Sequence, residues 1–310
     1  MLELLEARHH ALVALGRTLR AAGYRFTTVT PATHACVLAR PERRWAEDLR
    51  DVFGWGRPFR ERVIAGHCMT LLDEAGMLVS VAAGAWQSRV RFATAGELVL
   101  AHSRFPTAAP DSVFFGPDTY RFLRLLEREA EPSGRRCADL GCGTGAAGLW
   151  LAKNGARAVV LGDVNDEALR LTRVNAELND ESVDVVASDM FAALPSELDL
   201  VVMNPPYLVD AAHRTYRDGG GARGIALALR FVQDGLARLA PGGRLILYTG
   251  APIVRGDDVL HAALAPLLAQ DGLTSRYEEI DPDVFGDELG REAYVDVERI
   301  AAVALVVDRR

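Results

Sequence analysis

The 310-residue sequence predicts an α/β fold, a mostly parallel sheet covered on both faces by helices, with a smaller α+β unit ahead of it. Three observations predict it. From Arg135 onward, short apolar runs alternate with amphipathic stretches, the pattern of a parallel sheet sheltered by helices. The charge divides near residue 110: residues 1–110 hold 14 arginines, no lysine and 10 acidic residues, a net +4, whereas the rest hold 21 basic and 32 acidic residues, a net −11. Between the two lies Ser103 to Pro117, with Pro106, Pro110, Pro117 and Gly116, which neither a helix nor a central strand tolerates. The boundary is placed there, giving an N-terminal recognition unit at 1–110 and a sheet unit at 111–310.

The first unit opens with an amphipathic helix in which Leu12, Leu15 and Leu19 recur at helical spacing. Further helices are expected at Arg43 to Phe53 and Pro58 to Glu74. A hairpin follows, pairing Met77–Val81 with Trp86–Phe92 across the small-residue turn Ala82 to Ala85, so that the whole reads as winged-helix-like. In the second unit the expected strands are Cys137–Leu140, Ala158–Leu161, Val183–Val186, Leu198–Met203 and Arg244–Tyr248. The expected helices are Ala146–Lys153, Asp166–Leu178, Gly224–Leu239 and Asp257–Ala269. Leu273–Ile280 and Ala293–Val307 lack a long helix between them, which predicts an antiparallel pair at one edge of the sheet.

Composition narrows the function. With 49% hydrophobic and 25% charged residues the chain is ordinary globular protein, and a net charge of −7 argues against a uniformly basic, polyphosphate-binding protein. No apolar run approaches the roughly 20 residues of a membrane span, and the N-terminus does not read as a signal peptide, so a cytoplasmic enzyme is the expectation. Cys36, Cys68, Cys137 and Cys142 lie at separations of 32, 69 and 5, which fits neither a zinc site nor a disulfide framework. His34, His67 and His102 have no metal-ligand spacing, and no metal is expected.

The first strand of the second unit runs into Asp139-Leu-Gly141-Cys142-Gly143-Thr-Gly145, with a helix starting just beyond. Glycines at such a turn let backbone amides approach a ligand, and the helix N-terminus faces it. Gly141, Gly143 and Ala146 also satisfy the dinucleotide fingerprint. Asp163, 22 residues after Gly141, suits ribose hydroxyls in either kind of cofactor. Asp139 tilts the choice: a carboxylate there would repel a pyrophosphate and suits the cationic amino-acid end of S-adenosylmethionine. Asp189, in Ser-Asp-Met190, is placed either for an adenine amine or as a helix N-cap ahead of Ala192.

After the fourth strand comes Asn204-Pro205-Pro206-Tyr207. The two prolines fix φ and remove two donors, leaving a stiff loop of acceptors and one aromatic ring at the carboxyl end of the sheet. The Asn204 side-chain oxygen and the Pro205 carbonyl can accept the two hydrogens of a planar NH2 group, with Tyr207 on its face. Methyl transfer to such a nitrogen needs orientation more than a strong base, and no base stands in the motif.

In this order, Asp-Leu-Gly-Cys-Gly-Thr-Gly, Gly-Asp-Val-Asn, Ser-Asp-Met and Asn-Pro-Pro-Tyr, the chain resembles the class I S-adenosylmethionine-dependent methyltransferases. It is most similar to the amino-methylating group that includes release-factor glutamine and ribosomal-RNA guanine methyltransferases, over roughly Val113 to Gly250. The resemblance implies a seven-stranded Rossmann-like sheet binding S-adenosylmethionine. It assigns Asp139, Gly141 and Gly143 to the methionine part, Asp163 to the ribose and Asp189 to the adenine, with Cys142, Val164 and Met190 beside them in the same motifs. Asn204, also a cofactor-binding position, and Pro205 would hold the target nitrogen, flanked by Pro206 and Tyr207. Phe115-Gly-Pro117-Asp-Thr119 matches a further family segment, placing Phe115 near the substrate and Thr119 near the cofactor. The first unit does not resemble the helical bundle of the release-factor enzymes, and Thr215 to Gly221 is only loosely similar, so Arg217 and Asp218 read either as acceptor-pocket residues or as a plain turn. The acceptor is therefore a protein glutamine or an RNA base, with a small molecule as the alternative. A different class, a cofactor-binding nucleic-acid regulator without turnover, stays open.

Overall fold

The structure is a computed structural model and describes residues 2–107, 109–212 and 214–310. Helix α1 (Leu2–Ala21) buries Leu12, Leu15 and Leu19, as its spacing requires. Helix α2 (Pro31–Leu38) has no apolar periodicity and escaped the sequence reading. Its signal is local: the Thr30 side chain caps it by accepting from Thr33 N–H at 3.2 Å, and Pro31 occupies the first turn. The two further helices expected here are shorter than predicted. Arg43–Phe53 contracts to α3 (Leu49–Phe53), started by Asp48 as N-cap, and Pro58–Glu74 to α4 (Gly66–Glu74).

The expected single hairpin is two. Strands β1 (Leu78–Ala82) and β2 (Ala85–Ser88) pair with each other, and β3 (Val90–Ala95) pairs with β4 (Leu98–Ser103), a strand the sequence reading missed. Ser88 makes the break: its hydroxyl donates to the Val90 carbonyl at 2.6 Å and accepts from the Val90 N–H. After the connector, α5 (Pro117–Glu129), also missed, starts at a proline and buries Phe122, Leu125 and Leu126.

The sheet unit follows with β5 (Arg136–Leu140), α6 (Ala146–Lys153), β6 (Ala158–Asp163), α7 (Asp166–Leu178), β7 (Asp184–Ala187), β8 (Leu198–Met203), α8 (Ala226–Leu236), β9 (Leu239–Val254), the two-residue β10 (Asp257–Asp258), α9 (Val259–Leu268), β11 (Leu273–Asp281) and β12 (Arg299–Arg309). The strand order is β11-β12-β9-β8-β5-β6-β7, with β10 paired to β9. Strands β5 to β9 run parallel in the path, and β12 is antiparallel to both its neighbours, which realises the predicted edge pair. The order reverses at the centre: β5 leads to β6 on one side and its other neighbour is β8. The carboxyl ends of β5 and β8 thus flank the crevice where open α/β sheets bind ligands.

The two parts of the chain share a core. Leu12, Leu15 and Leu19 of α1 cluster with Leu171, Val174 and Leu178 of α7, each fully or almost fully buried. Fully burying a side chain of this size contributes roughly 1.5–3 kcal/mol. Two amides, Asn175 of α7 and Asn179 at its C-cap, complete the junction by pairing with the free edge of β4. Asn175 accepts from Ala101 N–H at 2.7 Å and donates to the Ala101 carbonyl at 3.1 Å. Asn179 does the same to Val99, at 2.9 and 2.8 Å.

Candidate active site

Strand β5 ends at Leu140, and the turn into α6 uses three glycines in the left-handed region, Gly141 (φ 62), Gly143 (φ 55) and Gly145 (φ 78). Side chains rarely adopt this conformation, so the sequence dictates the shape of the turn. Gly148, one turn into α6, is needed for another reason: a Cβ there would meet Leu161 of β6 at 2.4 Å. Thr172 fastens the loop from α7, donating to the Gly143 carbonyl at 3.0 Å.

The turn opens into a cavity of about 250 Å³. Thr119, Asp139, Gly141, Cys142, Gly143, Asp163, Val164, Asp189, Met190 and all of Asn204 to Tyr207 line it, so the structure brings together the residues singled out from four separate motifs. Phe115 is the exception and is corrected. It is buried at 1% exposure, stacked on His102 at 5.6 Å and edge-on to Tyr120, and its neighbour Phe114 faces the cavity instead. The Phe-Phe pair alternates sides in an extended segment, and the sequence pattern alone does not say which ring points in.

The carboxylates differ in environment. Asp139 is buried and accepts from Gly148 N–H at 2.8 Å. Burial, the leading cause, and the nearby Asp163 charge push it up to about 7, against the pull of that hydrogen bond. Asp163 accepts from Gly143 N–H and from Asn165 N–H, both at 2.9 Å, and burial outweighs these bonds to raise it as well. Asp189 is exposed and holds Arg230 through both oxygens at 2.8 and 3.0 Å. No regular helix begins at Asp189, since a non-helical turn occupies the residues after it.

The Asn204-Pro-Pro-Tyr loop leaves β8 and is seated by glycines downstream. A Cβ on Gly219 would fall 2.7 Å from Tyr207 Cα, and one on Gly250 would fall 2.2 Å from the Tyr207 ring. Tyr207 itself lies edge-on to Phe285 at 5.7 Å, and burial together with the Asp118 carboxylate keeps its phenol well above the ordinary range. Asp118 also accepts from Tyr248 Oη at 2.8 Å and from Arg121 at 3.2 Å. Beyond the loop, buried Asp210 is gripped by Arg214 at 2.6 and 2.7 Å and held well below the usual carboxylate range by those bonds. Arg217 lines the cavity with its guanidinium on Glu288.

A roof joins the connector to this second loop. Tyr216 Oη donates to the Thr107 carbonyl at 2.7 Å, Thr215 Oγ1 to the Pro110 carbonyl at 3.2 Å, and Asn165 Nδ2 to the Asp111 carbonyl at 2.9 Å. Phe114 and Tyr216 stack at 5.8 Å. Phe114, Tyr216 and Phe285 are cavity residues missed in the sequence, because they come from three loops without a shared motif. Among the described residues no cluster of three or more metal-ligating side chains is found, and no helix is long and apolar enough to cross a membrane.

A seven-strand path with one reversed strand, β12, next to its edge, a glycine turn after its first strand and an Asn-Pro-Pro-Tyr loop after its fourth give a Rossmann-like fold of the methyltransferase kind. Residues 119–253 match the family model of the methyltransferase small domain. Relatives include ribosomal RNA small subunit methyltransferase C of Chromohalobacter salexigens, 34% identical over 134 residues, covering 43% of this chain and 37% of the relative. The release factor glutamine methyltransferase of Deinococcus radiodurans is 33% identical over 196 residues, covering 59% of this chain and 65% of the relative. The chain thus spans less than two thirds of either relative. In fold it is similar to a solved Streptococcus mutans structure described as a sam-dependent methyltransferase, at 14% identity and a TM-score of 0.50, covering 71% of this chain and 55% of that one.

Proposed function

We propose that the protein is an S-adenosylmethionine-dependent N-methyltransferase acting on a planar amide or amino nitrogen. The observation that carries the reading is the joint placement of the glycine turn after β5 and the Asn204-Pro205-Pro206-Tyr207 loop after β8 on one cavity of about 250 Å³. The relatives named for transfer to release-factor glutamine or ribosomal RNA support it.

The residues present fit the cofactor. Asp139 is a buried carboxylate raised to about 7, which a cationic ammonium beside it would settle as the anion. The left-handed glycines leave the backbone open to close approach, and Asp163 and Asp189 line the same cavity for ribose and adenine. Thr119, Cys142, Val164 and Met190 complete the wall. When bound, this cofactor supplies an electrophilic methyl group.

The chain's own part is to hold the nitrogen. Asn204 Oδ1 and the Pro205 carbonyl accept its two hydrogens, which enriches the nitrogen in electron density and fixes its lone pair in one direction. Pro206 and the rigid Tyr207 ring set the plane. The nitrogen becomes acidic as it gains a substituent, so its proton can leave to solvent without a dedicated base.

The acceptors supported by the relatives are a protein glutamine or an RNA base, with residues 1–110 as the recognition unit. A small-molecule acceptor is a second reading, favoured by the roof and by the fact that, among the described residues of 1–110, Pro31 and Thr107 alone line the cavity and no arginine does. Transfer of labelled methyl from the cofactor into protein, RNA and small-molecule pools separates these readings. Incorporation into one pool names the acceptor class. Cofactor binding without transfer to any pool would instead favour a regulator.

A further inference from the structure

A second, small cavity of about 10 Å³ lies behind the roof and shares Pro31, Thr107 and Phe114 with the large one. Its size suits a single water-sized ligand. Its wall holds four buried polar atoms with no hydrogen-bonding partner among the described residues: Arg91 Nη2, His34 Nδ1, His102 Nε2 and Thr28 Oγ1. These residues are 4%, 2%, 1% and 3% exposed. Native proteins seldom leave such groups unpaired, and a cluster around one cavity points to a ligand.

The opposite end of each side chain fixes what the cavity is offered. His34 Nε2 lies 3.0 Å from the Trp55 carbonyl, and a carbonyl only accepts, so the proton sits on Nε2 and Nδ1 presents a lone pair. His102 Nδ1 lies 3.1 Å from the Ser103 carbonyl, so its Nε2 presents a lone pair too. Burial, the leading cause, lowers both imidazoles, His34 to about 4, so both are neutral at neutral pH. Arg91, which lines the cavity, donates through Nε to the Gly54 carbonyl at 2.6 Å and keeps a buried, unpartnered donor at Nη2. The ionisable groups that act on Arg91 are the phenols of Tyr24 and Tyr120.

We infer that this cavity is a hydration site for one water molecule, which donates its two O–H bonds to His34 Nδ1 and His102 Nε2 and accepts from Arg91 Nη2. Thr28 Oγ1 supplies the fourth direction of a tetrahedral set. A cation is disfavoured by the arginine N–H aimed at it, and an anion by two imidazole lone pairs. The same water links α2, β3 and β4 beside Thr107 and Phe114, which also line the large cavity.

Two measurements on the unmodified protein test this. High-resolution diffraction is expected to show one ordered peak about 2.7–3.2 Å from all three nitrogens, unchanged after a bromide soak. An empty cavity, direct contact among the three side chains, or a bromide anomalous peak at the site overturns the inference. Nitrogen-15 spectra of the histidines at pH 7 are expected to give the Nε2–H tautomer for His34 and the Nδ1–H tautomer for His102. The reverse tautomer or a doubly protonated ring at either position overturns it as well.

Discussion

Asn204 and Asp139 line one cavity from the neighbouring strands β8 and β5 and carry separable duties. Asn204→Ala removes one of two acceptors for the target nitrogen and leaves the glycines of the turn in place. Losing one preorganised polar contact to the reacting group costs about 10²–10³-fold in rate. Turnover is therefore expected to fall by that order with cofactor affinity nearly unchanged, as read by steady-state kinetics beside calorimetry; a near-normal rate removes the role. Asp139 gives a pH dependence whose sign follows from its raised value. The folded protein keeps the proton up to about 7, whereas an unfolded aspartate loses it near ~3.9. The stabilising contribution is thus complete below the lower value and lost as pH rises through about 7, with Asp163 acting in the same direction. A cationic ligand prefers the ionised form, so cofactor affinity is expected to rise with pH through this window and binding to release protons. Calorimetry in buffers of different ionisation enthalpy reads this, and Asp139→Asn is expected to flatten the profile.

At the scale of elements, legibility in the sequence followed how local the cause was. The strands β5, β6 and β8 and the helices α6 and α7 were readable because a buried parallel strand is a short apolar run and a covering helix repeats its apolar face. Helix α2 is eight residues long with no such face, so only its Thr30-Pro31 start could have shown it. Strand β4 was hidden because all but its last residue are buried, so the sequence shows no alternation, and its partner β3 is buried throughout as well. The site was legible where a motif makes its own turn. It was illegible at Phe114 and Phe285, which arrive through loop paths. The glycines separate stability from activity. Gly148→Ala, whose Cβ would meet Leu161 at 2.4 Å, is expected to cost about 1–3 kcal/mol by crowding α6 against β6. Gly250→Ala drives a Cβ into the Tyr207 ring at 2.2 Å and is expected to reduce methyl transfer more than thermal stability. Melting curves measured beside initial rates distinguish the two patterns.

For the whole molecule, the charge boundary near residue 110 is not a boundary in packing. α1 buries Leu12, Leu15 and Leu19 against α7, and Asn175 is fully buried between β4 and the glycine turn, where it also donates to the Thr144 carbonyl at 2.9 Å. We propose that residues 1–110 recognise the acceptor while remaining fixed to the sheet by this junction. Asn175→Ala leaves backbone groups of Ala101 and Thr144 without partners and is expected to lower stability by about 1–3 kcal/mol for each buried group left unpaired. A shifted denaturation midpoint measures it, and an unchanged midpoint would show that the junction contributes little. The account rests most heavily on a nitrogen clamp facing a cofactor across one cavity. The direct measurement is a crystal structure with S-adenosylhomocysteine bound. It is expected to put the sulfur beside Asn204 and Pro205, with the ribose hydroxyls at Asp163 and the amino group at Asp139. A sulfur directed away from Asn204, or a ligand seated outside the β5–β8 crevice, would contradict it.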